Sequence, residues 1–127
     1  MKKTLSMISS AYRAIAEEQD DTIVWLNHAM KGAGAELTVL LKDSAVNYLV
    51  KGQKVPALQF GNWKQTHPPQ IQRDIVLLLE KGVPVYCVED DLRERGLAET
   101  EILHGIQKIP RADLPILFAQ FELIHQW

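Results

Sequence analysis

Cysteine occurs once in this chain of 127 residues, at Cys87. One thiol cannot close an internal disulfide or complete a thiolate zinc site, and it suits a reducing compartment, so a cytoplasmic protein is expected. Basic runs are also missing. Beyond Lys2-Lys3 no Lys/Arg cluster occurs, and the net charge of −2 argues against a nucleic-acid surface. No stretch reaches the roughly 18–20 apolar residues of a membrane span, so no membrane partner is expected. The opening Met1-Lys2-Lys3-Thr4-Leu5-Ser6-Met7-Ile8 stops at Ser9-Ser10, short of the ~7–15 apolar residues of a signal-peptide core, and reads as a first strand. GxGxxG, Walker, HExxH and GxSxG signatures are absent, as are repeats and low-complexity tracts, so no cofactor is expected. His28, His67, His104 and His125 show no metal-ligand spacing, so no metal is expected either.

What is present suits one domain spanning 1–127. At 46% apolar and 24% charged residues, the chain can bury a core without metals or disulfides. Leu5 to Ile8 is a buried-type strand. Ile23, Leu26 and Met30, extended backward by Ile15 and Ala16, predict a helix over about 15–30 that Gly32-Ala33-Gly34 ends. Glu36 to Leu41 is a second strand. Lys42-Asp43-Ser44 reads as a turn with an N-cap before a short helix over 45–50. Lys51 to Pro69 carries Gly52, Pro56, Gly61, Pro68 and Pro69 and reads as a long functional or interface loop. Ile71, Ile75, Leu78 and Leu79 predict a helix closed by Gly82, followed by a strand over Val83 to Val88 and a charged helical start. Asp113 to Ala119 is a last short helix and Phe121 to Trp127 a closing strand. The order β-α-β-α-loop-α-β-α-β predicts a single-domain α/β three-layer sandwich with a mainly parallel sheet.

Open sheets of this kind place reactive groups beyond the strand C-termini, where the loops after Ile8, Leu41 and Val88 would gather. Cys87 is the candidate catalytic residue there, as a thiolate or a carrier of persulfide sulfur. A helix N-terminus, Arg93 or Arg95 would lower its pKa; Glu89, Asp90 and Asp91 would raise it. The alternative is a small core residue, since free cysteine is among the most buried types. Tyr12, Trp63 and His67 are candidates for a pocket or a subunit interface. Arg93-Glu94-Arg95 reads as a solvated helix face, with the alternative that Arg95, before Gly96, caps a helix end or binds an anion as a further pocket or interface candidate.

The segment from Val85 to Leu97, with its Leu92-Arg93-Glu94-Arg95-Gly96-Leu97 stretch, resembles the DsrE/DsrF-like family, also called YchN-like or sulfur-relay proteins. Ser10-Ala11-Tyr12, the strand Gly34 to Leu41, the helix Asp43 to Gln53 and the end Leu123 to Trp127 agree with it in order. The resemblance implies a DsrE/F-like α/β fold and cytoplasmic oligomers: a dimer, trimer or hexamer of this chain, or of related subunits. In catalytic members a cysteine accepts and hands on sulfur, which would make a sulfur-carrier protein the partner and this chain a sulfurtransferase-like relay. Other members are structural or ligand-binding subunits. The family cysteine falls four residues before the Leu, which here is Val88; Cys87 is five before. One residue of shift on a strand reverses the face, unless a bulge restores it.

Overall fold

The computed structural model describes residues 2–11, 21–54, 56–68 and 70–127. Along the chain these form β1 (Lys3–Ile8), α1 (Thr22–Gly32), β2 (Glu36–Leu41), a 3-10 helix (Asp43–Leu49), β3 (Gln59–Phe60), β4 (Trp63–Lys64), α2 (Ile71–Glu80), β5 (Val85–Val88), α3 (Glu89–Glu94), β6 (Gln107–Ile109), α4 (Leu114–Phe118) and β7 (Leu123–Gln126). Short 3-10 turns at Glu99–Glu101 and Arg111–Asp113 flank β6.

The main sheet has the order β6-β5-β2-β1-β7, and each neighbouring pair is parallel. The chain steps in one direction from β1 through β2 and β5 to β6, then returns to the far edge as β7. Right-handed crossovers put connections that step the same way on one face and the returning connection on the other. Accordingly α1, α2 and the first 3-10 helix supply the large core cluster on one side of the sheet, with Ile8, Val39, Leu41, Tyr48, Ile75 and Leu78 fully buried. On the other side α4 covers a smaller cluster of Leu5, Met7, Leu40, Val88 and Leu117. The three-layer α/β sandwich read from the sequence is the observed architecture.

Local sequence explains the two long helices. In α2, Ile71, Ile75 and Leu78 recur at helical spacing and are buried, each contributing roughly 1.5–3 kcal/mol. The helix stops where Gly82, at φ +80°, takes the left-handed position. There the Gly82 and Val83 amides donate to the carbonyls of Leu79 and Leu78. α1 starts at Asp21, whose carboxylate accepts from the Ile23 and Val24 amides at 2.9 and 3.1 Å. Residues 15–20 of the expected helix lie outside the described residues. The Tyr48 hydroxyl, buried in the 3-10 helix, also donates to Asp21, so one buried carboxylate ties the start of α1 to the segment after β2.

Three local expectations need correction. In place of a capped helix over 45–50 there is a 3-10 helix, Asp43–Leu49, whose first residue sits at φ +51°; no side chain caps it. The 51–69 loop contains a β3–β4 hairpin, with Phe60 opposite Trp63. The strand β6, unassigned in the sequence, pairs with β5 at the sheet edge. Three residues centred on a lysine, with one side of the strand unpaired, carry too little alternation to be read as a strand.

Candidate functional site

β5 is paired without interruption on both sides. Leu40 and Leu41 of β2 face Tyr86 and Cys87, and Tyr86, Cys87 and Val88 face Gln107, Lys108 and Ile109 of β6. With no bulge, side chains alternate strictly. Val85 and Cys87 join the core beneath α1 and α2, while Val88 joins the opposite cluster under α4. Cys87 is 0% exposed. Burial pushes its thiol up to about 12; Lys108 pulls it down, and Glu89 and Asp91 add to the rise. At neutral pH only about one molecule in 10^5 would carry the nucleophilic thiolate. Among the described residues no histidine is hydrogen-bonded to it.

The loops beyond the strand C-termini do gather. The Ser44 hydroxyl donates to the Ser9 carbonyl at 3.1 Å, joining the ends of β1 and β2. The Asp43 amide donates to Asp91 at 2.8 Å, joining β2 to α3. Asp91 is 2% exposed. It receives Arg111 at 2.6 Å and lies 3.7 Å from Arg95. Arg111 closes a fork on Glu94 at 3.0 and 3.2 Å, and these contacts with Glu94 and Asp91 hold its guanidinium firmly protonated. The Arg111 amide donates to Asp90 and, with weaker help from Arg93, holds that carboxyl below its usual range. Every carboxylate in this cluster has a donor, so it acts as a tie between the ends of β2, β5 and β6. Arg111 was not a sequence candidate because the edge strand that delivers it was not recognised.

Arg95 and Gly96 have a local explanation. The Leu97 amide donates to the Leu92 carbonyl at 3.0 Å and the Gly96 amide to the Arg93 carbonyl at 3.1 Å, with Gly96 at φ +66°. This is the glycine-terminated helix end with its paired apolar residues, Leu92 and Leu97, which share one core cluster. Arg95 is the last residue of the turn and folds back on Asp91. The stretch from Leu92 to Leu97 is therefore a helix stop, with the Arg95 guanidinium beside the Asp91 carbonyl and carboxylate.

Trp63 is 49% exposed on the hairpin, 5.9 Å from Phe60 between ring centroids. His67 follows it, exposed. Tyr12 lies outside the described residues. His28 is a clamp between helices, with Nε2–H donating to the Asp74 carbonyl at 2.8 Å and Nδ1 accepting from Lys81 at 2.9 Å. No group of histidine, cysteine and carboxylates suited to a metal is found among the described residues, and no helix among them is long and apolar enough to cross a membrane.

An open cleft of about 580 Å³ lies between α2 and residues 103–105, with Val76, Leu79 and Leu103 as apolar walls. It exists because Val50 bridges Ile102 and the Leu103 amide donates to the Leu49 carbonyl, which brings residues 102–103 against the chain that follows the first 3-10 helix. Of the site candidates among the described residues, Cys87, Trp63, His67 and Arg95 do not line it; His104, read in the sequence only as a histidine without metal-ligand spacing, does.

The fold has solved counterparts. The YchN protein of E. coli superposes with a TM-score of 0.76 at 19% identity, with both chains covered in full. A protein of unknown function from Methanobacterium thermoautotrophicum matches at 0.64 and 14%, over 98% of this chain and 99% of its own. Another from Bacteroides thetaiotaomicron matches at 0.66 and 14%, over 98% and 95%. At these identities the likeness is one of fold. No family model matches the chain, and no curated protein matches it in sequence.

Proposed function

We propose that this chain is a non-catalytic assembly and binding module, a structural or ligand-binding member of a DsrE/F-type oligomer, in which Cys87 belongs to the core instead of carrying sulfur. The observation that carries this reading is the direction of Cys87: fully buried, on the helix-covered face of an unbulged strand, with its thiol pushed up to about 12. A relay cysteine must present a thiolate to a donor and then to an acceptor, and this one presents neither charge nor surface. The closed Asp91–Arg111–Glu94 cluster supports the same reading, because the strand ends where an open α/β sheet binds ligands are tied to one another. The exposed aromatic hairpin supplies the surface an assembly module requires. A single thiol with no disulfide partner suits a reducing, cytoplasmic setting.

The test is mass spectrometry of the native protein after incubation with polysulfide. No adduct of about 32 Da, one sulfur on the persulfide ladder, is expected unless the chain is first unfolded. A native adduct that disappears in Cys87→Ser would establish the sulfur-relay reading and overturn this one.

A further inference from the structure

We propose that the cleft between α2 and residues 103–105 binds a short apolar peptide with free termini, its carboxylate toward Lys51 and its ammonium toward Glu80. The inference rests on the binding-module reading above and deepens it by naming the site and the ligand class.

The cleft is apolar in the middle and charged at its two ends. Gln72, Val76, Leu79 and Glu80 of α2 line it, and their spacing puts them on one stripe of the helix. With a rise of ~1.5 Å per residue, about 12 Å of helix axis separates Gln72 from Glu80. Lys51 stands at the Gln72 end, because the next residue, Gly52, donates its amide to Gln72 Oε1 at 2.7 Å. A cation and a carboxylate therefore border the cleft at opposite ends, with Val76 and Leu79 between them and Leu103 on the other wall.

Both charges are open to a ligand. Glu80 is exposed and forms no ion pair among the described residues. Its neighbour Lys81 is held by His28 Nδ1 at 2.9 Å. Glu80 also closes α2 at its C-terminal end, where the helix dipole adds negative potential and favours an arriving ammonium. The Lys51 ammonium has one long contact, to the Thr100 carbonyl at 3.4 Å. Glu99 is taken by Lys108. Glu101, whose carbonyl holds the Lys51 amide, is not part of the lining.

A ligand of one charge would match only one end. A free amino acid carries both charges on one carbon and cannot reach both ends, so the matching zwitterion is elongated. Three extended residues span about 10 Å, and the Lys51 and Glu80 side chains cover the rest. At about 580 Å³ the cleft falls within the ~300–1,000 Å³ of small-ligand sites. The backbone favours a peptide. The His104 and Gly105 amides make no hydrogen bond among the described residues, so the wall opposite α2 offers donors to peptide carbonyls. Gly105, at φ +87°, keeps that wall bare: a Cβ there would stand 3.5 Å from Leu79 Cδ1.

Isothermal titration of the full chain with the tripeptide Leu-Ala-Leu tests this, beside its N-acetylated and C-amidated forms. The free peptide is expected to bind one per chain, and each cap should weaken binding about 5-fold, the strength of a solvent-facing ion pair. Glu80→Gln should erase the penalty of acetylation and keep that of amidation; Lys51→Met should do the reverse. Both residues are exposed, so neither change disturbs the core. Val76→Trp, with folding verified by circular dichroism, should fill the cleft and abolish binding. No binding of the free peptide overturns the site and leaves the reading of Cys87 to the polysulfide experiment. Capped and free peptides that bind alike would mean that a segment of a longer chain docks there, which overturns the assignment. An aminoalkanoate of equal length that binds as tightly as the peptide overturns it too. Cap penalties that survive both charge variants would put the peptide elsewhere on the chain and likewise overturn it.

Discussion

The backbone N–H of Asp43 donates to the buried carboxylate of Asp91 at 2.8 Å, across 48 positions of sequence. Asp43 sits at φ +51°, a left-handed conformation that glycine adopts freely, Asn and Asp at a small cost and other side chains at a larger one. The two facts belong together. A strained residue after β2 persists because its amide is held by a carboxylate that Arg111 and Arg95 in turn hold. Asp91→Ala removes that acceptor and leaves the Asp43 amide unpaired, so urea unfolding is expected to show a loss of about 2–3 kcal/mol. Asp91→Asn, which keeps an acceptor oxygen but no charge, is expected to lose less.

Substitutions at Asp43 itself should rank by backbone tolerance. Glycine is expected to match or exceed the wild type, and valine to cost about 1–2 kcal/mol. The side-chain pair of Asp43 with Lys42, at 3.6 Å and largely exposed, should matter little. If valine were tolerated as well as glycine in thermal unfolding, strain at Asp43 would not be the controlling factor.

Cys87 gives the fold an alkaline limit. Its folded pKa is raised, from 9.0 to about 12, chiefly by burial. Below pH 9 the thiol is neutral folded and unfolded, and its burial stabilises in full. As pH rises from about 9 toward 12 the unfolded chain ionises while the folded one resists, so stability should fall by up to about 1.4 kcal/mol per pH unit. Cys87→Ala should lack that slope. Comparing the two denaturation profiles between pH 8 and 10.5 isolates the effect from tyrosine and lysine titration, and equal slopes would mean the thiol is not buried in solution.

Gly96→Ala is expected to cost about 1 kcal/mol, since it forces an alanine into the left-handed position that ends α3. No atom lies within 4 Å of where the new Cβ would stand, so the loss is conformational and assembly should be unaffected. A change in sedimentation without a change in stability would assign this turn a binding role instead.

Tyr48→Phe removes the hydroxyl that donates to Asp21 inside the core and keeps the ring. The buried carboxylate would retain its two amide donors, so a loss of about 1–3 kcal/mol is expected. Hydrogen exchange should place the increased opening in the first turn of α1, where those amides lie.

The sequence by itself determined the layered α/β fold. Buried-type runs at Leu5–Ile8, Glu36–Leu41 and Val83–Val88, separated by the helical stripe Ile71–Ile75–Leu78, need only local periodicity to be read, and the glycines at 82 and 96 mark helix ends through their own backbone freedom. The register question at Cys87 and Val88 was visible in the sequence, but its answer was not. Whether a strand bulges is set by its two neighbours, and β6, one of them, is a three-residue edge too short to announce itself. The same holds for the pairing of Arg111 with Asp91 and for the meeting of the hairpin root with the α2 cleft, because each joins segments some 20 residues apart. Short-range pattern reports which face a side chain takes within its own element. Only the tertiary structure decided that Cys87 faces the core, because that depends on which strands flank it and on the helices that close over it.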